Sequence, residues 1–330
     1  MSNMLACPIC GTGVEKDNFK EVYVSSYNKE EYKRYECPNC DVHWWEPLKI
    51  ISEFYESEVF EDYVAFHEGV GTRFGINHKA FFKNFPSNLR GKLLDVGCGD
   101  GRFLRHAKEQ GFEVWGIDFD RKSVENVKRS LGIDTVFAMS LQEFYEYAKE
   151  KNLKFDVITF FEVLEHQDKP REFLQMIKGL LKEGGYIAGS VPNRERLLIE
   201  IDWRCNYVDY PPHHFLRFSK SSLEKALNSS GFKDTEVYKL DSSFTDLFPS
   251  LERKLFGNDL KIKLKGMVLG DERKTRTLVE DLLEVGPSKG KIYILTMLKL
   301  IRNAILLPFA LRYIRKLKRN GPYLYFQASV

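Results

Sequence analysis

The sequence predicts an α/β fold: a doubly wound, mostly parallel sheet of seven strands, with a small N-terminal cysteine-knuckle segment and a helical insertion before the last strand. Three observations predict it. The first is a glycine-rich bend, KLLDVGCGDG at Lys92–Gly101, with apolar Leu93, Leu94 and Val96 before it and Phe103, Leu104 and Ala107 at helical spacing after it. The second is a further apolar strand, Phe112–Ile117, that ends in Asp118, 21 residues beyond Gly97. The third is the alternation of strand and helix patterns that continues to Val191, as a sheet covered on both faces requires.

Residues 1–47 carry Cys7 and Cys10, then a gap of 26 residues, then Cys37 and Cys40. Two C-x2-C knuckles at that separation match a tetrahedral thiolate zinc site, and so short a segment lacks the apolar mass to fold alone. Four thiolates saturate the ion, so the site is expected to be structural. Val22–Tyr27 and Tyr32–Tyr35 read as ribbon strands, and His43 as a surface or packing residue. Cys98 and Cys205 stand apart from the knuckles, and Met1–Gly11 lacks the charged and apolar regions of a signal peptide. Reduced thiols in a cytoplasmic protein follow from this.

Residues 48–90 are expected to be helical and aromatic-rich, with Phe54, Tyr55, Phe60, Tyr63, Phe66, Phe74, Phe81, Phe82 and Phe85 forming a cap or covering layer. The core follows over 91–240. Gly97, Gly99 and Gly101 sit on its first strand-to-helix turn, where a bare backbone and positive φ let a ligand come close. A carboxylate at Asp118 can accept hydrogen bonds from both hydroxyls of a ribose. Asp95, just before the bend, disfavours a pyrophosphate at the helix N-terminus and favours a cationic ligand instead.

With the acidic glycine bend and Asp118 in place, the chain resembles the class I S-adenosylmethionine-dependent methyltransferases. The resemblance implies S-adenosylmethionine held by Asp95, Gly97, Gly99 and Gly101 at its methionine end, by Asp118 and the adjoining Phe119 at its ribose, and by Ser140 and Leu141 at its adenine. In FDVITFFEVLEH, Phe155–His166, the fourth strand spans Asp156–Phe161, and the VLEH element resembles the family's lining of the methionine side, which assigns Phe161 and Glu162 to the cofactor. The helix Arg121–Leu131, the strand Thr135–Ala138, the helix opened by Pro170 and the strand Tyr186–Val191 complete the winding.

Residues 192–218 hold a second cluster, DYPPHHFLRFS from Asp209 to Ser219, followed by a helix that Ser219 caps and by a strand, Thr235–Leu240. Adjacent His213 and His214 are expected to face different ways, with one in the cleft. A histidine titrates near neutral pH and can take a proton from an acceptor, so His214, then His213 or His166, are the candidate bases. No metal is required for that step. The P-P-H-H-x-x-x-F-S pattern is similar to that of methyltransferases of bacterial polysaccharide and sugar gene clusters, which implies a small or lipid-linked sugar or related metabolite as acceptor. Quinone-ring or RNA methylation, and a non-catalytic cofactor-binding scaffold, are the alternatives.

The insertion, 241–320, precedes a last strand within 321–330. Its segment 291–319 is apolar with basic residues three to four apart, a pattern suited to a membrane interface, to the body of the protein or to a second subunit of a homo-oligomer. The uncharged run Asn303–Leu311 is nine residues, too short to span a bilayer. Nine Lys/Arg and no Asp/Glu follow Glu284, so a net charge of +3 conceals a body at −6, which argues against nucleic acid as a partner.

Overall fold

The computed structural model describes residues 3–51, 54, 74–205, 209–244, 247–256, 289–318 and 320–330. Its centre is a sheet of β1 Lys92–Val96, β2 Glu113–Asp118, β3 Val136–Ala138, β4 Phe155–Phe161, β5 Leu181–Pro192, β6 Lys233–Lys239 and β7 Tyr323–Ser329. The spatial order is β6-β7-β5-β4-β1-β2-β3, and every pair is parallel except those of β7, which runs antiparallel to both β5 and β6. This is the doubly wound, mostly parallel sheet expected from the sequence. Leu93, Leu94, Val157, Ile158, Ile187 and Ala188 on the central strands are wholly buried, as helices on both faces demand. The chain winds outward from β1 to β3 and returns to β4 on the other side of β1. A crevice therefore opens beyond the carboxyl ends of β1 and β4, where residues 97–101 and 162–166 emerge.

Local chemistry sets the helix ends. The helix Arg102–Glu109 buries Phe103, Leu104 and Ala107. The helix Arg121–Leu131 has the bounds read from the sequence: the Asp120 carboxylate accepts from the amides of Lys122 and Ser123 at its start, and Gly132, at φ 60°, ends it. Gly101 is at φ 70°, and a Cβ there would lie 2.6 Å from Val127 Cγ1, so this glycine both makes the turn and lets that helix pack on it. Among the described residues of 48–90, the helix Ile76–Asn84 packs on β5 and β7, with Phe81 stacked on Phe85 at 4.5 Å. Tyr55, Phe60, Tyr63 and Phe66 lie outside the described residues.

The N-terminal ribbon does not close on itself. Its antiparallel strands Glu21–Val24, Glu31–Glu36 and His43–Glu46 are joined by a fourth, Leu216–Arg217, contributed from beyond the core's fifth strand. Leu216 pairs with Trp44 and Arg217 with His43, and the Trp45 amide donates to the Phe215 carbonyl at 3.0 Å. Fully buried Trp44 and Trp45 share one core with Phe215, Leu216 and Phe218. The ribbon and residues 215–218 thus share one packing unit. His43 Nδ1 accepts from Arg34 Nη1 at 3.0 Å, within the ribbon.

In the insertion, the helices Leu247–Phe256 and Lys289–Leu311 pack through Leu247, Phe248 and Leu251 against Leu306 and Ala310. The second helix contains Pro308 and leaves Leu300, Ile301, Ile305 and Leu311 exposed. Among the described residues no helix is long and apolar enough to cross a membrane.

Gly101→Ala is expected to lower unfolding free energy by about 1–3 kcal/mol, because a methyl group enters at positive φ against Val127. Urea denaturation checks this, and an unchanged midpoint would contradict it.

Candidate active site

The glycine turn is held from below. Gly97 is at φ 75°, and a Cβ on it would lie 2.8 Å from Val163 Cγ2, so the backbone fills space that no side chain could share. Asp118 Oδ2 accepts from the Gly99 amide at 2.8 Å and Oδ1 from the Asp120 amide at 3.0 Å, which places the carboxylate at the mouth of the turn. Asp95 behaves otherwise than its place in the motif suggests. It is 2% exposed and accepts a 2.7 Å hydrogen bond from Thr159 Oγ1 on β4. Burial pushes its carboxyl up to about 8, an effect that the Thr159 bond only partly opposes. Its negative charge is therefore suppressed near neutrality until a cation comes close enough to compensate it.

At the end of β4, Glu162 adopts φ 56°, a conformation that costs a non-glycine residue free energy. Its Oε1 accepts from Ser190 Oγ at 2.7 Å, and Asn77 Nδ2 donates to the same hydroxyl at 3.3 Å. Burial raises the Glu162 carboxyl to about 8 against that bond. Glu165 follows on a short 3-10 turn, Leu164–His166, fully buried and with neither carboxylate oxygen hydrogen-bonded among the described residues. Burial first, and the charge of Glu162 second, push it well above its ordinary pKa.

Three imidazoles gather beside these acids. The His166 ring lies 4.7 Å from those of His213 and His214, and the latter two stack at 4.3 Å with 17° between planes. The expectation that His213 and His214 face different ways is thus corrected. Both amides donate to the Tyr210 carbonyl at 3.1 Å, so the pair sits in a tight turn and not in a strand whose side chains alternate. His166 Nδ1 donates to the His213 carbonyl at 2.6 Å, and the Phe215 amide donates to the Glu165 carbonyl at 2.9 Å. Phe54 flanks His213 at 6.0 Å.

Asp209 orients His214. Its Oδ1 accepts from His214 Nδ1 at 3.2 Å, while Oδ2 accepts from Trp203 Nε1 at 3.2 Å and pairs with Arg196. Burial alone would raise this carboxyl, but the His214 hydrogen bond and the Arg196 guanidinium hold it well below the usual carboxylate range. Arg217 donates through Nε and Nη2 to the Asp209 carbonyl at 3.3 and 3.1 Å, with its guanidinium 4.2 Å from the Trp203 ring, 4.6 Å from Tyr210 and 5.2 Å from Trp45.

The four ribbon cysteines converge. Cys7 and Cys40 Sγ lie 3.6 Å apart, Cys10 and Cys37 Sγ 3.4 Å apart, and all four sulfurs fall within 4.8 Å of one another. Each knuckle repeats one pattern: the first cysteine's carbonyl accepts from the amide four residues on, at Gly11 and at Asp41, both at positive φ. Thiols at these spacings are unbridged and suit a tetrahedral ion.

A family model described as a methyltransferase domain matches residues 73–237. The chain belongs to the methyltransferase family. The ubiquinone biosynthesis O-methyltransferase of Bordetella avium is 30% identical over 183 residues, 49% of this chain and 76% of that protein. Its counterpart in Proteus mirabilis is 30% identical over 138 residues, and the match spans 40% of this methyltransferase and little more than half, 56%, of the relative. A solved S-adenosylmethionine-dependent methyltransferase of Archaeoglobus fulgidus is similar over 85% of this chain and all of its own, at 18% identity and a TM-score of 0.46.

In this methyltransferase, the turn of Gly97, Gly99 and Gly101 and the Asp118 carboxylate occupy one end of the crevice, and His166, His213 and His214 come together at another strand end. The bare turn and its carboxylate fit S-adenosylmethionine, the methyl donor that family membership supports. The other residues assigned to the cofactor lie in varied surroundings. Ser140 forms a capping box with Glu143, Leu141 is buried in the same core as Phe144, Phe119 is 74% exposed, and Phe161 packs 4.7 Å from both Phe103 and His78. Asp209, Glu165, Arg217, Thr159, Ser190 and Asn77 were not singled out from the sequence.

Because the Asp95 carboxyl is raised to about 8, binding of a cationic ligand beside it is expected to release a proton at pH 7, and affinity to rise as pH climbs towards 8. Titration calorimetry with S-adenosylmethionine in buffers of different ionisation enthalpy reads the proton directly, and Asp95→Asn should abolish the release. A buffer-independent heat in the wild type would contradict it.

Proposed function

We propose that this methyltransferase transfers the methyl group of S-adenosylmethionine to a hydroxyl oxygen of a small aromatic acceptor, with His214 as the base. The hydrogen bond between Asp209 and His214 Nδ1 carries the proposal, because it leaves the other ring nitrogen as the proton acceptor. When bound, S-adenosylmethionine supplies an electrophilic methyl on a positively charged sulfur. Asp118 would accept from the ribose hydroxyls, the Gly97–Gly101 backbone would admit the methionine end above Asp95, and the residues around Ser140 and Leu141 would border the adenine. The proton that the acceptor hydroxyl loses on methylation would pass to His214, whose imidazolium Asp209 would stabilise. His166 and His213 wall the same space, with Phe54 as an apolar side.

The acceptor class follows from acidity and from the relatives. A phenol with a pKa near 10, as in tyrosine, is within reach of an imidazole base, whereas a sugar alcohol is several units less acidic. The relatives named for ubiquinone biosynthesis support a ring hydroxyl over the sugar that the histidine loop implied. Zinc in the four cysteines would be structural, fixing the strand that pairs with Leu216–Arg217.

His214→Ala is expected to reduce transfer of labelled methyl to a dihydroxybenzoate by about 10²–10⁴-fold while leaving S-adenosylhomocysteine affinity unchanged, and Asp209→Asn by a smaller factor. Transfer to a free or nucleotide-linked sugar in preference to the phenol would overturn the acceptor class. Cys37→Ser with Cys40→Ser should lower melting temperature and transfer together but spare S-adenosylhomocysteine binding, and full transfer by that double variant would contradict the ribbon's role.

A further inference from the structure

We propose that the helix Lys289–Leu311 and the turn after it form a docking surface for an anionic lipid membrane. The helix belongs to the insertion between β6 and β7, outside the residues 73–237 that the family model matches. It is apolar on two opposite sides. Leu306 and Ala310, one turn apart, are wholly buried and pack with Leu247, Phe248 and Leu251 of the neighbouring helix. Arg302 reaches that same neighbour and donates to Glu252 at 3.0 Å. The far side stays open. Leu300 is 57% exposed, Ile301, Ile305 and Leu311 are each 51% exposed, and Leu307 is exposed between them. Exposed Ile314 carries the stripe past the end of the helix. A helix that has packed one side against its own protein ordinarily turns polar residues to water on the other, and a contiguous apolar stripe there marks an interaction surface.

Charge selects the occupant. Arg312, Arg315, Lys316 and Lys318 are exposed where the stripe ends. The segment 285–330 holds nine Lys/Arg and no Asp/Glu. A second copy laid along this helix, in either direction, would set cation against cation with no carboxylate of the segment to answer them. An anionic bilayer supplies both missing parts, hydrocarbon for the stripe and phosphate for the cations. Since the helix is not long and apolar enough to cross a bilayer, it would lie in the plane of the interface.

The surface adjoins the loop that leads to the histidine turn. Leu197 and Leu198 pack into the cluster of Leu306 and Ala310, and the helix Leu247–Phe256 touches the helix Ile199–Cys205, whose Trp203 donates to Asp209 at 3.2 Å. On the reading of that turn as the acceptor end, a membrane held here lies beside the loop that carries the base. The membrane contact itself does not depend on that reading.

Flotation of the full chain with vesicles tests it. Vesicles of phosphatidylcholine with about 30% phosphatidylglycerol are expected to carry the protein, and vesicles of phosphatidylcholine alone to carry it at least about tenfold less well, with binding lost as salt rises. Ile301→Gln with Ile305→Gln, and separately Arg315→Gln with Lys316→Gln, should each weaken binding at least about tenfold. Because these side chains are exposed, both variants should keep the wild-type melting temperature and S-adenosylhomocysteine affinity. A chain that floats with neither vesicle, floats equally with both, or binds as tightly in the variants would overturn the proposal. So would a dimer in sedimentation velocity that the isoleucine variant dissolves, since the stripe would then belong to a second copy. Should the acceptor reading alone be wrong, vesicle binding would remain and phenol methylation would be missing.

Discussion

The pairing of Leu216–Arg217 with the last ribbon strand is the contact on which the histidine site depends. Those two residues follow His213 and His214 almost directly, so the register Leu216–Trp44 and Arg217–His43 fixes where the turn must end. The hydrogen bond between the Trp45 amide and the Phe215 carbonyl extends the same ladder. Arg217 then reaches back among Trp45, Trp203 and Tyr210 and holds the Asp209 carbonyl, so one side chain ties the ribbon to the residue that orients His214. The Tyr210 hydroxyl adds a second tie, donating to Glu21 Oε1 at 2.7 Å. Side chains join the two parts elsewhere: Arg194 pairs with Asp41, and Ser219 Oγ donates to the same carboxylate at 2.8 Å. The cysteine ribbon is thus built into the histidine end of the crevice, through residues far from it in sequence.

Buried charge is distributed unevenly across the crevice, and the distribution has consequences. Asp95, Glu162 and Glu165 are all raised by burial, while Asp209 is held ionised, because His214 and Arg196 face it. The crevice therefore stores acidic groups that remain protonated until positive charge approaches. At the glycine turn the compensating charge belongs to the methyl donor. The reason is that a desolvated carboxyl prefers neutrality unless a cation is near.

The fold was legible because its signals are local. The apolar run of Leu93, Leu94 and Val96, the glycines after it and the strand ending at Asp118 lie within a few dozen residues, and periodicity decides their structure. The convergence of Cys7, Cys10, Cys37 and Cys40 was legible from spacing for the same reason. The fourth ribbon strand was not, since a two-residue strand that pairs across some 170 positions has no periodic pattern of its own. Adjacent side chains face different ways in an extended chain, whereas here the amides of His213 and His214 turn back to Tyr210 and the rings stack. The Asp95 motif told residue type correctly but not depth, which Thr159 on the neighbouring strand determines. Ser140 carries a second legible signal, since S-x-x-E at Ser140–Glu143 is a capping signature that the structure uses.

Hydrogen exchange of the metal-loaded and the chelated protein tests most directly the dependence of the histidine turn on the ribbon. Stripping the metal should expose the amides of Trp45, Phe215 and Arg217 together, with exchange at the Gly97–Gly101 turn unchanged. Protection at Phe215 and Arg217 that survives loss of the metal, while Trp45 opens, would show that the histidine turn holds its place without the ribbon.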